Sequence, residues 1–286
     1  MVSVPARREQ VTYAVRRGVS QRRACTLMKV ARSALGYRSR LGLKDAQVLT
    51  RMVALSGQYP RYGYRRIQIF LDRDGHAMSA GRAYRLWHSG LQLPRRRPRK
   101  RVASGRPRSN VPNGANDVWA IDFVFDACAD GRQLKCLMVA DEFTKEELAI
   151  EVDGRIRSGQ VIEVLGRLVS ERGAPVLLRC DNGPEFVARA ALKWIVDQGI
   201  GTAFIDPGKP WQNGLGESFN GKFRDERLSL EWSRSRAEAK IVIEAWRRHF
   251  NTVRSHSSIG YLTPGAFAAK IPKQTAAPTT VTGRGA

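Results

Sequence analysis

Residues 118–128, "VWAIDFVFDAC", decide how this chain is read. The run alternates enough to be a β-strand, yet Asp122 falls in its middle among Trp119, Ile121, Phe123 and Val124. A carboxylate there is costly unless it is used. Beyond it, "QLKCLMVADEF" (133–143) and "ELAIEV" (147–152) read as the next two strands. "SGQVIEVLGRLVSERG" (158–173) is an amphipathic helix with Val161, Val164 and Leu168 on one face. "PVLLRCDNG" (175–183) is a short buried strand, "FVARAALKWIVDQG" (186–199) a helix and "GTAFIDPG" (201–208) a strand, and two helices cover 212–254. Three strands followed by alternating helix and strand specify a mixed α/β sheet over 117–270. The tail 271–286, "IPKQTAAPTTVTGRGA", has almost nothing to bury and reads as disordered.

The other side of that strand is different in charge. Residues 1–110 hold 26 Lys and Arg against 4 Asp and Glu, while 111–286 hold 23 against 22. An excess confined to one end is an electrostatic footprint for a polyanion. A membrane is the competing partner, but no stretch nears the roughly 20 apolar residues of a span, and "MVSVPARREQ" has no apolar run behind its charges. The expectation is a cytoplasmic protein that joins the nucleoid when bound to DNA. Cys25, Cys128, Cys136 and Cys180 lack zinc-ligand spacing and are expected to be reduced.

Residues 1–43 suggest a helix-turn-helix: Ser20 is a candidate N-cap, Ala24, Leu27 and Met28 share a face, and Ala31 and Leu35 continue after a break. Residues 44–93 form a second helical module. Ile67, Phe70 and Leu71 make one apolar face there, and Ala83, Leu86 and Trp87 another; Gly75 ends the first helix and Ser79 caps the second. In "YPRYGYRRI" (59–67) the tyrosines fit packing better than nucleic-acid stacking, while Arg65 and Arg66 are candidate DNA contacts. The segment 94–116, beginning "PRRRPRKR", is a basic linker or an arm along DNA, with Arg95, Arg96 and Arg97 as contacts.

Two more acids stand out in the α/β part. Asp181 falls at the carboxyl end of its strand, where ligands of α/β sheets gather. Glu217 lies on a helix whose phase, roughly 100° per residue, sends Leu215, Phe219 and Phe223 to the core and Glu217 with Arg224 to the opposite face. Three convergent carboxylates in a basic protein suit a hard cation that bridges to phosphate, Mg²⁺ as two ions with Mn²⁺ able to substitute. Asp126, Asp141, Glu185 and Asp206 are rival acids. Asn182 and Glu185 are placed to support the site, as are Lys222 and Asn213, although Asn213 fits helix capping more simply. Gly183, Gly214 and Gly216 suggest close approach or sharp bends. Neither Ser218 nor Cys180 has a base at nucleophile spacing.

Together "WAIDF", "DNGPEF", "PGKPWQNGLGESFNGKFRDE" and the late "RSHSSIGYLTP", with 35 residues between Asp181 and Glu217, resemble the DDE transposases of insertion sequences whose second reading frame is similar to retroviral integrases. The resemblance spans about residues 10–270. It implies an RNase H-like catalytic core behind helical DNA-binding modules, a triad of Asp122, Asp181 and Glu217 as catalytic and metal-binding residues, and Arg224 as basic partner. It also implies double-stranded DNA as substrate, cleavage followed by strand transfer, a homo-multimer bridging two ends, and an upstream-frame helix-turn-helix protein, separate or fused. The family's usual "RPH" is "RSH" here, at Arg254, Ser255 and His256, and its acidic pair is Asp141 and Glu142. Two rivals stand beside this reading: a structure-selective nuclease on the same fold, and a DNA-binding regulator or inactive remnant using residues 1–110.

Overall fold

The five strands of the computed structural model are β1 (Val118–Ala127), β2 (Gln133–Asp141), β3 (Glu147–Asp153), β4 (Leu177–Cys180) and β5 (Gly201–Phe204), in the spatial order β3-β2-β1-β4-β5. The structure describes residues 3–37, 41–88, 91, 110–206 and 210–271. Two hairpins make β1, β2 and β3 antiparallel. The first turns at Gly131, whose φ of 79° suits a residue without Cβ; in the second the Asp141 carboxylate accepts from the backbone of Phe143 and Thr144. β4 and β5 run parallel to β1, which requires crossovers. These are α6 (Ser158–Arg172) and the pair α7 (Pro184–Val187) and α8 (Arg189–Asp197). This is the RNase H-like sheet that the sequence implied.

Both faces of the sheet are covered, so alternation along β1 sends side chains into two separate cores. Trp119 and Ile121 pack with Val161, Val164 and Leu168 of α6 and Ile195 of α8. Val124, Cys136, Met138 and Ile150 pack on the other face with Phe219 and Phe223 of α9 (Gly214–Phe223) and with Ile243, Trp246 and Phe250 of α10 (Arg236–Thr252). By the same alternation Asp122 belongs to this second face, beneath α9. A short helix, α11 (Pro264–Ala268), ends the described chain.

The helix expected over 186–199 is broken at Ala188, whose extended ψ of 134° separates α7 from α8. Between α9 and α10 the chain widens into a π turn, Arg224–Leu228.

The chain divides into two units, Met1–Arg95 and Arg96–Ala286. The first holds α1 (Val4–Arg16), α2 (Gln21–Leu27), α3 (Leu41–Gln58), α4 (Tyr64–Arg73) and α5 (Ala80–His88). Ser20 caps α2 by accepting from Arg23, and Ser79 caps α5 by accepting from Arg82. Gly75, at φ 85°, follows the end of α4. Residues 31–35, expected to continue as a helix, form only a 3₁₀ turn, Arg32–Ala34. Lys29 in the left-handed region ends α2, and the few residues left before Gly36 are too short to propagate an α-helix. Tyr59 stacks on Tyr62 and Phe70, with ring centroids 5.0 and 4.8 Å away, as their packing reading expects. Arg65 is exposed over Tyr64, and Arg66 is half-buried over Tyr62. Arg95, Arg96 and Arg97 lie outside the described residues, as does most of the basic segment 94–116 and the tail from 272.

Candidate active site

β1 and β4 pair with Val118 opposite Leu177 and Ala120 opposite Arg179. The ladder ends there, and two residues further along come Asp122, still in β1, and Asp181, just past the end of β4. Neighbouring parallel strands therefore deliver two carboxylates to one place at the carboxyl end of β4, where the chain leaves the sheet. Asp181 is exposed, and its Oδ1 accepts from the backbone N–H of Gly183 at 2.9 Å. A Cβ on Gly183 would lie 2.9 Å from that oxygen, so any larger residue would push the Asp181 carboxylate aside. Asn182 anchors the turn by donating its amide to the carbonyl of Ile205, beyond β5. Glu185 anchors it again through an ion pair with the buried Lys135, whose Nζ also sits 4.0 Å from the Phe123 ring centroid.

α9 presents a polar stripe to this region. Asn213, Glu217, Asn220 and Arg224 recur at helical spacing, while Phe219 and Phe223 on the other side are buried. Asn220 donates to Asp122 Oδ2 at 2.7 Å, and Asn213 donates to the same oxygen at 3.3 Å. Asn213 occupies the N-cap position of α9, but its side chain makes no capping bond. Capping, the simpler expectation, is thus replaced by contact with the acid. Gly216 makes room for it, because a Cβ there would lie 2.6 Å from Asn213 Oδ1. Gly214, grouped with Gly183 and Gly216 in the sequence, has open space around it. Glu217 and Arg224 are exposed and Lys222 is half-buried.

Burial pushes the Asp122 carboxyl above the usual carboxylate range; the Phe123 N–H and the Asn220 amide oppose that, and the charges of Asp181 and Glu217 add to it. Asp122 therefore senses both other acids. Among the described residues, however, no three acidic, His or Cys side chains come close enough to hold one metal ion together. The expected convergence is therefore not complete in this arrangement: Asp122 is held by its strand and Asp181 by its turn, whereas exposed Glu217 can swing away from two like charges. The donor chemistry still fits a hard divalent cation. The acids offer carboxylate oxygens, and Asn213 Oδ1 and Asn220 Oδ1 are buried beside Asp122 with no hydrogen-bond partner among the described residues.

Three of the four rival acids are engaged elsewhere, while Asp126 is half-buried on β1, on the same face as Asp122. Asp141 is buried in its turn, Glu185 pairs with Lys135, and Asp206 exchanges bonds with Gln212. Cys180 is no nucleophile, since burial pushes its thiol up to about 12.

Residues beyond those expected also shape the site. Arg179, buried in β4 one residue before Cys180, donates to Glu142, to the Gln212 carbonyl and to the Asn110 carbonyl. It ties the end of β2 to the turn that carries Asn213. An Arg inside the apolar run "LLRC" was the available signal for it. Asn220 had one too, lying three residues after Glu217 on the same helical face.

Two family models, both described as integrase core domain, match residues 112–210 and 198–264. A protein of insertion element IS407 from Burkholderia multivorans is 43% identical over 253 residues, covering 88% of this chain and 91% of the relative. The chain belongs to the insertion-element transposases with an integrase core. A protein of insertion element IS476 from Xanthomonas euvesicatoria is 40% identical over 90% of this chain and 75% of its own length. Transposase InsD of insertion element IS2 from Escherichia coli is 28% identical, covering 80% of each chain. The matched core includes every acid placed above. No described helix is long and apolar enough to cross a membrane.

Proposed function

We propose that this transposase cuts and joins DNA through Asp122, Asp181 and Glu217 as a divalent-metal triad, with Mg²⁺ as the physiological ion and two ions per site. One observation carries the reading: Asp122 on β1 lies close to Asp181, just past the end of the adjacent parallel strand β4, beneath a helix start and helix whose amides bind Asp122 and whose exposed face carries Glu217. When bound, the cation supplies positive charge at the phosphate and eases deprotonation of the attacking oxygen. The protein's own part is positional. Asn213 and Asn220 orient Asp122, Asn220 also opposing the rise that burial gives its pKa, and the 181–185 turn holds Asp181 through its bonds to Ile205 and Lys135. Glu217 closes the donor set from above.

In the first step a water oxygen bonds to phosphorus at an element end and the 3′-oxygen leaves as a hydroxyl. In the second that hydroxyl bonds to phosphorus of another strand in line, and the displaced strand leaves with its own 3′-hydroxyl. No covalent protein intermediate is needed. Arg224 and Lys222 steer the backbone at the site. The basic first unit, through Arg65, Arg66 and the 95–97 arginines, holds the ends. Two or more copies bridge those ends in the cytoplasm, at the nucleoid, with an upstream-frame helix-turn-helix protein as partner or fusion.

The test uses the full chain with Mg²⁺ and duplex DNA carrying the two sequences that flank its gene. Asp181→Asn and Glu217→Gln should each abolish cleavage and strand transfer while DNA binding persists. Unchanged cleavage by both variants sinks the triad; wild-type cleavage without joining makes the protein a nuclease.

A further inference from the structure

The "RSH" segment has no role in the proposed chemistry, yet it makes a deeply buried ion pair just beyond the C-terminal end of α9. Arg254 and Glu226 have side chains 1% and 7% exposed. Their bonds are a parallel fork, Nε to Oε2 at 2.6 Å and Nη2 to Oε1 at 2.5 Å. The remaining nitrogen, Nη1, lies 3.1 Å from His256 Nε2, and an arginine can only donate there, so His256 accepts with its proton on Nδ1. The His256 ring sits edge-on to Phe250 at 4.6 Å, and Phe250 sits edge-on to Phe219 of α9 at 4.8 Å. The His256 backbone is itself fixed by its N–H bond to the Leu262 carbonyl.

Glu226 lies inside the π turn Arg224–Leu228. A π turn inserts an extra residue and so resets the rotation of a helix end relative to the next segment of chain. The segment after α10 therefore grips α9 at two points: by the carboxylate of its π extension and, through the aromatic chain, at Phe219, two residues from Glu217. A surface pair could do this only weakly, but a buried bidentate pair resists opening because separation strands a charge in the core.

We propose that Arg254, Glu226 and His256 are positioning residues that set the rotation of α9, and with it Glu217 and the Asn220 amide over Asp122. The catalytic consequence rests on the triad reading above; the grip itself does not. Charge alone is not enough, because lysine cannot reproduce the fork.

The experiment compares the full-length wild type with Arg254→Lys and the milder His256→Gln. Hydrogen exchange is followed in peptides covering 214–228 and 118–141, alongside DNA affinity and single-turnover cleavage of the same flanking-sequence duplex. Faster exchange confined to 214–228, unchanged affinity and a cleavage rate lower by about 10–100-fold support the assignment, the last being what a displacement of about an ångström costs. Should Arg254→Lys fail to fold, His256→Gln must give the same pattern at smaller amplitude. Unaltered exchange at 214–228, or equal acceleration in both peptides, overturns the proposal. If wild-type protein does not cleave at all, the triad reading falls while the exchange comparison still decides the grip.

Discussion

Two carboxyls of one sheet, Asp122 on β1 and Glu147 at the start of β3, are both pushed above the usual carboxylate range by burial. Their surroundings differ. Glu147 is fully buried, and the nearby Val139 N–H and Arg247 charge only partly offset that burial. Asn251 binds only its backbone, and Arg247 commits its donors to backbone carbonyls and Glu244. Asp122 is half-buried, takes two amide bonds on one oxygen, and has two more acids close enough to raise its pKa. A raised pKa thus marks burial in both places. Access and neighbouring acids and amides distinguish Asp122.

Neutralising each acid in turn tests this contrast most severely. Asp122→Asn should lower DNA cleavage on the order of 10³-fold, the scale of a lost electrostatic group at a reacting centre. Removing the Glu147 carboxyl should leave the rate per folded molecule unchanged. Cleavage assays on the two variants check both, and comparable losses would erase the distinction.

Asn220→Ala comes next. It removes the shorter amide bond to Asp122, one of the groups that hold this pKa down, so the carboxyl should rise further. Cleavage should fall about 10–100-fold, as for groups that orient metal ligands. The acid limb of the pH–rate profile should move to higher pH, because Asp122 would then ionise later. A profile of unchanged shape would show that Asn220 does not act through Asp122.

At Glu147 the expected effect is on stability alone. The unfolded chain releases its proton near the ordinary 4.5, while the folded chain retains it. Wild-type stability therefore falls as pH climbs from there toward the folded value. Glu147→Met removes a fully buried carboxyl whose charged form burial disfavours and should stabilise by about 1–3 kcal/mol. Urea unfolding at pH 5 and pH 8 should show the gap widening with pH.

The same contrast separates what was legible in the sequence from what was not. The five strands and both faces of α9 followed from periodicity, because a sheet with two covered faces leaves a clear pattern in "VWAIDFVFDAC" and "GLGESFNGKF". The acids Asp122 and Asp181 were legible because strand position makes them conspicuous. Glu147, Glu226–Arg254 and Arg179–Glu142 were not, since each joins segments far apart in the chain and no local spacing encodes such a pairing. The 3₁₀ turn at Arg32–Ala34 was missed for the opposite reason: its residues share a helical face but are too few to propagate one.

The smallest effect concerns Asn213, the other amide that separates the surroundings of Asp122 from those of Glu147. Two glycines of α9 should respond differently to alanine. Gly221 has nothing within 4 Å of where a Cβ would stand. Gly221→Ala should therefore gain about 0.5–1 kcal/mol, the usual advantage of alanine within a helix. At Gly216 the same methyl would stand 2.6 Å from Asn213 Oδ1 and 2.8 Å from its Nδ2. The asparagine can swing aside only by giving up its bond to Asp122, so the helix gain is offset and the melting temperature should stay close to wild type. Cleavage should drop, by less than in Asn220→Ala, because the bond lost is the longer one. If Gly216→Ala instead matches Gly221→Ala in both stability and cleavage, Asn213 is dispensable, and Asp122 is distinguished from Glu147 by Asn220 and the neighbouring acids alone.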